Sequence, residues 1–250
     1  MKNFAVLMLV FSGSAYAGGS LSPEIRISSV AMGYDIQYRV YLPEGIEADE
    51  KLPAIFITDG PMYIKQGRVP TVLNRLIASK KMRPVVAVFV DSRNPDNLSE
   101  NRRNDEFFCN RSYLAFYTND LIPAIEKAYP VQQTREGRTI LGVSFGGLNA
   151  ACFGLLGFDT FSGIAMHSPA NHPIANLLPA YESEPRRPLK IFLSTGSPWD
   201  NTAANRKFRK ILKEKGYEMK FIQTDKGHNW DNWRPLIDDV LLYFYGTDVS

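Results

Sequence analysis

The segment Gly142-Val143-Ser144-Phe145-Gly146-Gly147 sets one serine between glycines at the spacing Gly-x-Ser-x-Gly. Thr139–Val143 before it reads as a buried strand, and the small-residue run Gly146–Gly154 after it reads as a tightly packed helix. A serine at so sharp a strand-to-helix turn has its hydroxyl pushed clear of the sheet, and the glycines remove side chains that would collide there. The N-terminus of the following helix favours negative charge developing at the same point. Such a serine can attack a carbonyl carbon, provided that a base takes its proton and a carboxylate holds the base in the right tautomer. Of the three histidines, His228 follows the last strand on a loop, Gly227-His228-Asn229-Trp230, that can swing an imidazole over the sheet edge. His167 also follows a strand and is the rival, read as pocket lining, while His172 reads as surface. Asp200 is the expected acid, because it lies between the strand Leu189–Ser194 and a helix; Asp225 beside Lys226 and Asp231 at a helix start fit solvated charge and an N-cap. An oxyanion needs two backbone N–H donors, one from Phe145 and one from the loop Thr58–Tyr63. Pro61 has no N–H, which leaves Gly60 or Met62, with Met62 slightly favoured.

The elements that would position these groups follow from the hydrophobic pattern. Ile25–Ile27 and Ile36–Tyr41 alternate apolar with polar around the turn Met32–Asp35, which predicts an opening antiparallel hairpin. The continuous apolar runs Ala54–Thr58, Val85–Val90, Thr139–Val143, Phe161–Met166 and Leu189–Ser194, with Glu218–Thr224 last, predict parallel strands covered on both faces. Helices are expected at Val72–Lys81, Leu114–Tyr129, Ala203–Lys215 and Trp233–Tyr245, with Pro123 either straining the second or marking a new start. The Pro-rich stretch Pro169–Pro188 reads as a small cap over the site. The fold class is therefore α/β: a mostly parallel central sheet, an antiparallel N-terminal hairpin, and helices on both faces.

Composition narrows the alternatives. With 250 residues, 44% hydrophobic and 22% charged, the chain has the profile of one globular domain. The 29 Lys+Arg against 26 Asp+Glu leave +3, too little for the basic face of a nucleic-acid binder. No Cys-x-x-Cys pair or His-Glu-x-x-His helix is present, so neither a metal nor another cofactor is expected. Lys2, the apolar run Phe4–Phe11 and Ala15-Tyr16-Ala17 predict a signal peptide over residues 1–17, a mature start at Gly18, and a periplasmic or secreted protein with no membrane span. In an oxidising compartment Cys109 and Cys152 can pair, but sequence alone leaves this open.

Several segments together resemble the "putative esterase" family of α/β-hydrolases, and within it the periplasmic enterochelin (siderophore trilactone) esterases. They are Asp59-Gly60, Val88-Phe89-Val90-Asp91-Ser92, Arg103-Asn104-Asp105-Glu106-Phe107-Phe108-Cys109-Asn110, Asp120-Leu121-Ile122-Pro123, the Ser144 segment, and Gly227–Arg234. The likeness covers nearly the whole mature chain. It implies an α/β-hydrolase fold, a Ser144-Asp200-His228 triad, and Arg103 and Glu106 near the catalytic mouth. The small-molecule ester substrate it implies is a siderophore trilactone, with feruloyl and acetyl-xylan esters, or a non-catalytic siderophore-binding homologue, as alternatives. Arg68, Arg102, Arg103 and Arg111 are candidates for a cationic rim around a ferric siderophore, and Trp199 and Trp230 for stacking on its rings.

Overall fold

The computed structural model describes residues 18–47 and 49–247, so the expected signal peptide lies outside the described residues. The strands are β1 (Ser20–Leu21), β2 (Ile25–Ser29), β3 (Tyr34–Leu42), β4 (Ala54–Ile57), β5 (Val86–Asp91), β6 (Arg93–Asn94), β7 (Asn97–Asn101), β8 (Arg138–Val143), β9 (Gly163–His167), β10 (Lys190–Thr195) and β11 (Glu218–Gln223). One sheet runs in the order β1-β3-β5-β4-β8-β9-β10-β11, with β2 paired to β3, and β6 and β7 form a separate hairpin. From β5 through β11 every pairing is parallel; β1, β2 and β5 all meet β3 antiparallel. The expected fold class is thus the observed one.

The apolar runs are continuous because both faces of the sheet are covered. Along β4 and β5, Ala54, Phe56, Val86, Val88 and Val90 enter one core, while Ile55, Ile57, Ala87 and Phe89 enter the other. The helices α3 (Arg103–Phe107), α4 (Arg111–Ala115), α5 (Ile122–Ala128), α6 (Phe145–Leu156), α7 (Leu177–Ser183) and α8 (Thr202–Glu214) cover the first face. The other is covered by α1 (Gly60–Lys65), α2 (Val69–Ala78), α9 (Trp230–Trp233) and α10 (Leu236–Tyr245). Among the described residues no helix is long and apolar enough to cross a membrane.

Prolines account for two differences from the expected helices. The segment read as one helix over Leu114–Tyr129 contains a π-turn at Phe116–Leu121 before Pro123, which sits in the first turn of α5; a ring without an N–H fits a new start better than a helix interior. Pro235 likewise separates α9 from α10. The expected cap is also corrected. Its helix α7 lies on the side of α6, where Tyr181 donates its hydroxyl hydrogen to Ala151 O at 2.8 Å, and only Ala170 and His172 from the start of the segment reach the hollow beside Ser144. Cys109 and Cys152 form a disulfide between the α3–α4 turn and α6, with Cα atoms 5.0 Å apart.

Candidate active site

After β4 the chain adds β5 on one side and later β8 on the other, so the sheet order reverses there. In open parallel sheets the crevice at the carboxyl ends of such strands is where ligands bind. The residues just past β4 and β8 are Thr58-Asp59-Gly60 and Ser144.

Ser144 has φ 57° and ψ −115°, a strained turn from which α6 starts at the next residue. Its N–H donates to His167 O at 2.8 Å and its carbonyl accepts from Ala170 N at 3.0 Å. The flanking glycines are required by contact: a Cβ on Gly142 would lie 2.1 Å from Gly146 O, and one on Gly146 would lie 2.5 Å from Thr58 Oγ1. His228 places Nε2 2.8 Å from Ser144 Oγ and Nδ1 2.6 Å from Asp200 Oδ1. The His228 backbone N–H donates to Trp199 O at 3.0 Å, tying the two loops together, and its ring meets Trp233 edge-on at 4.9 Å.

The Asp200 carboxylate is fully buried and heavily bonded. Oδ1 also accepts from Asn201 N at 2.7 Å; Oδ2 accepts from Ser168 Oγ at 2.6 Å and from the Gly196 amide. Burial pushes the carboxyl up, but the hydrogen bonds from His228, Ser168, Gly196 and Asn201 outweigh it and hold it at about 2. Asp200 is therefore an anion facing an imidazole, while Asp225 is exposed beside Lys226 and Asp231 occupies the first turn of α9. Sequence reasoning missed Ser168, which also accepts from Trp233 Nε1 at 2.9 Å. Its only sequence signal is its place directly after a strand, before Pro169.

Other expectations change. Met62 N–H donates to Asp59 O at 2.9 Å as α1 begins, which withdraws it from any oxyanion role; Gly60, the first residue of α1, and Phe145, the first of α6, have amides with no intrahelical acceptor. Of the other two histidines, His172 is exposed, as expected, but His167 does not line the pocket. His167 is completely buried, with Nδ1 3.0 Å from Ser194 Oγ and its ring held down at about 3 by burial, whereas His172 lies at the hollow, 5.7 Å from the Phe145 ring.

The hollow beside Ser144 encloses about 380 Å³ and is walled by Phe145, Ala170, His172, Trp199 and Asn201. Trp199 is 88% exposed at its mouth. Trp230 is instead packing, edge-on to Tyr63 at 5.2 Å and Trp233 at 5.5 Å. Glu106 is 1% exposed and accepts from Tyr34 Oη at 3.2 Å, and burial pushes its carboxyl well up, so it cannot line a mouth. Arg102 lies over the Tyr34 ring at 4.0 Å and bonds Glu100 at 2.9 Å, facing a different hollow. Arg103 grips Asp59 with two hydrogen bonds of 2.7 and 2.9 Å. None of Arg68, Arg102, Arg103 and Arg111 lines the Ser144 hollow, so the expected cationic rim is not assembled. Among the described residues no group of His, Cys, Asp and Glu side chains is placed to hold a metal ion.

A family model described as "Putative esterase" matches residues 29–244. An acetyl esterase of Caldicellulosiruptor saccharolyticus is 25% identical over 197 residues, covering 64% of this chain and 72% of that protein. Among solved structures, a ferulic acid esterase superposes with a TM-score of 0.79 at 21% identity, covering 91% of this chain and 98% of that one. The ferric enterobactin esterase of Salmonella typhimurium superposes at 0.78 and 21% identity, covering 89% of this chain but 58% of that one. At these identities the superpositions speak for the fold.

Proposed function

This chain belongs to the "Putative esterase" family and is a carboxylic ester hydrolase; from that premise we propose that it works through Ser144, His228 and Asp200 on esters that present a small or aromatic group beside the scissile carbonyl. The observation that carries the reading is the unbroken relay from Ser144 Oγ to His228 Nε2 at 2.8 Å and from His228 Nδ1 to Asp200 Oδ1 at 2.6 Å. His228 Nε2 takes the hydroxyl proton as Ser144 Oγ bonds to the carbonyl carbon, and the resulting oxyanion faces the amides of Phe145 and Gly60. Collapse of the tetrahedral adduct breaks the bond to the alcohol oxygen, which leaves with the proton from His228. Water, deprotonated by the same ring, then attacks the acyl-Ser144 carbonyl; the bond from that carbon to Ser144 Oγ breaks, His228 returns the proton to Oγ, and the acid is released.

The hollow supports the substrate class. Its walls carry Phe145, His172 and an exposed Trp199 and no lysine or arginine, which suits a neutral aryl or acyl ester of the feruloyl or acetyl-carbohydrate kind better than a multiply charged ferric complex. A siderophore trilactone is the second reading, favoured by the superposition with enterobactin esterase. A non-catalytic siderophore binder would have no use for a buried, anionic Asp200 aligned on His228. Export is part of the proposal: the N-terminal pattern over residues 1–17 supports it, as does a disulfide, which persists in oxidising compartments. The test is a panel of short p-nitrophenyl esters, a feruloyl sugar and a catecholate trilactone, with fluorophosphonate labelling of the parent and of Ser144→Ala. Ester turnover and labelling that both vanish in Ser144→Ala are expected. Retained turnover in that variant refutes the nucleophile, and turnover confined to the trilactone selects the second reading.

A further inference from the structure

Arg103 does not line the hollow beside Ser144; it joins three pieces of backbone and side chain around that residue. Its Nε and Nη2 donate to Asp59 Oδ1 at 2.7 Å and Oδ2 at 2.9 Å, and Nη2 also donates to Val143 O at 3.0 Å. Asp59 lies just past β4 and just before Gly60, and Val143 is the last residue of β8 before Ser144. The guanidinium also sits 5.3 Å from the Phe145 ring centroid, and Phe107 flanks it at 5.4 Å. Both residues it secures precede an amide on the oxyanion path: Asp59 precedes Gly60, and Val143 precedes the Ser144–Phe145 turn.

The setting makes this contact matter. Asp59 has φ 56°, a left-handed backbone that a residue with a Cβ adopts at a cost, and it is this bend that directs the Gly60 amide and starts α1. Its side chain is 4% exposed, and a Cβ on Gly146 would lie 2.9 Å from Asp59 Oδ2, so the carboxylate sits directly against the nucleophile turn. The other buried acids nearby have partners of their own: Asp91 is gripped by Arg93 at 2.7 Å and by Gln37 Nε2 at 2.8 Å, and Glu106 accepts from Tyr34 Oη at 3.2 Å. Arg103 is thus the guanidinium that answers Asp59.

Resting on the serine-hydrolase reading above, we infer that Arg103 is a positioning residue, which fixes the spacing between the Gly60 and Phe145 amides by bridging the Asp59 carboxylate to the Val143 carbonyl. It acts only when negative charge develops on the carbonyl oxygen, so its removal should lower kcat and leave KM nearly in place. Removing one oxyanion donor elsewhere costs on the order of 10²–10³ in kcat, and misplacing a pair of donors belongs in the same range.

The experiment measures kcat and KM on a neutral and an anionic p-nitrophenyl ester for the parent, Arg103→Met, Arg103→Lys, Asp59→Asn and the Asp59→Asn/Arg103→Met double variant. Each preparation is normalised by titrating Ser144 with a fluorophosphonate, so that a poorly folding variant is still counted by its competent fraction. Expected are a loss of roughly 10²-fold in kcat for Arg103→Met on both esters, KM within about threefold, partial recovery in Arg103→Lys, and a double variant no worse than the worse single one. Loss confined to the anionic ester, or a change in KM alone, would make Arg103 a substrate contact and overturn the inference. So would kcat per titrated site within threefold of the parent in Arg103→Met. Failure of the serine-hydrolase reading looks different: the parent itself would neither titrate nor turn over.

Discussion

Replacing Ser168 with alanine removes one hydroxyl that serves two close partners at once, with Asn232 Nδ2 a longer third donor at 3.4 Å. The hydroxyl donates to Asp200 Oδ2 at 2.6 Å and accepts from Trp233 Nε1 at 2.9 Å. A hydrogen bond to a charged acceptor contributes about 1.5–3 kcal/mol, and a buried indole N–H left without an acceptor costs about 1–3 kcal/mol. Together the change should destabilise the protein by about 3–5 kcal/mol, or roughly 10 °C in Tm for a domain of this size. The backbone supplies an internal control. Ser168 has φ 45°, where a Cβ costs about 1–2 kcal/mol, so Ser168→Gly loses the same hydroxyl but sheds that strain. After the entropy that glycine adds to the unfolded chain, Ser168→Gly should be more stable than Ser168→Ala by about 0.5–1 kcal/mol. Activity should fall by about tenfold or less, because Asp200 keeps His228 and the Gly196 and Asn201 amides. Urea unfolding of the three proteins and kcat on a p-nitrophenyl ester decide the matter. Stability of Ser168→Ala within 0.5 kcal/mol of the parent would refute the two-partner account, as would a glycine variant weaker than the alanine one.

Three further outcomes follow from the same site and its supports. Asp200→Asn should lower kcat by on the order of 10⁴ while Asp225→Asn changes it little, and the reverse order would move the acid to the exposed loop. His167, neutral and held at about 3 by burial, must be compared with a free histidine near 6.5: the unfolded chain binds the extra proton first, so stability should fall by about 1.4 kcal/mol per pH unit from pH 6.5 down towards 3, and urea unfolding between pH 7 and 5 should lose this slope in His167→Asn. Removing the Cys109–Cys152 bridge, which closes a separation of 43 residues, should cost about 4 kcal/mol in the chain-entropy account, measured by unfolding of the double alanine variant.

What the sequence displays at this site is whatever lies in one contiguous segment. The Ser144 turn is legible because strand, glycines and helix are consecutive, and His228 and Asp200 are legible because each follows a strand on its own loop. What stayed hidden depends on partners far apart in the chain. The contact of Arg103 with Asp59 spans 44 residues, while Glu106, three positions from Arg103, is buried against Tyr34. The start of α1 is hidden as well, because a helix only six residues long with a proline in its first turn leaves no periodic trace, and Thr58–Tyr63 therefore reads as an open loop in which Met62 has a free N–H. The burial of His167 is not legible because a histidine closing a parallel strand reads the same whether it faces the crevice or the second core.

Asp59, Ser144, Ser168 and Trp199 all have positive φ, and they lie just past β4, β8, β9 and β10, four neighbouring strands in sheet order. Such backbone costs of order 1–3 kcal/mol per residue, and it persists here because the parallel ladder runs past the strand ends: Thr58 N donates to Leu141 O, Ser144 N to His167 O, and Ser168 N to Ser194 O. Each loop is pinned by the strand beside it, so the strain concentrates where side chains must be aimed at one point. Trp199 stands apart, because its ring is 88% exposed and adds little packing that could offset its φ of 64°. A stability–activity trade-off is the expected consequence at this position. Trp199→Gly should therefore be more stable than Trp199→Ala by about 0.5–1 kcal/mol, while both raise KM for an aromatic ester over an acetyl ester by about the same several-fold factor. If KM for the two esters moves equally, the ring is not reading the acyl group, and the left-handed turn at residue 199 serves only to carry the carbonyl that receives the His228 N–H.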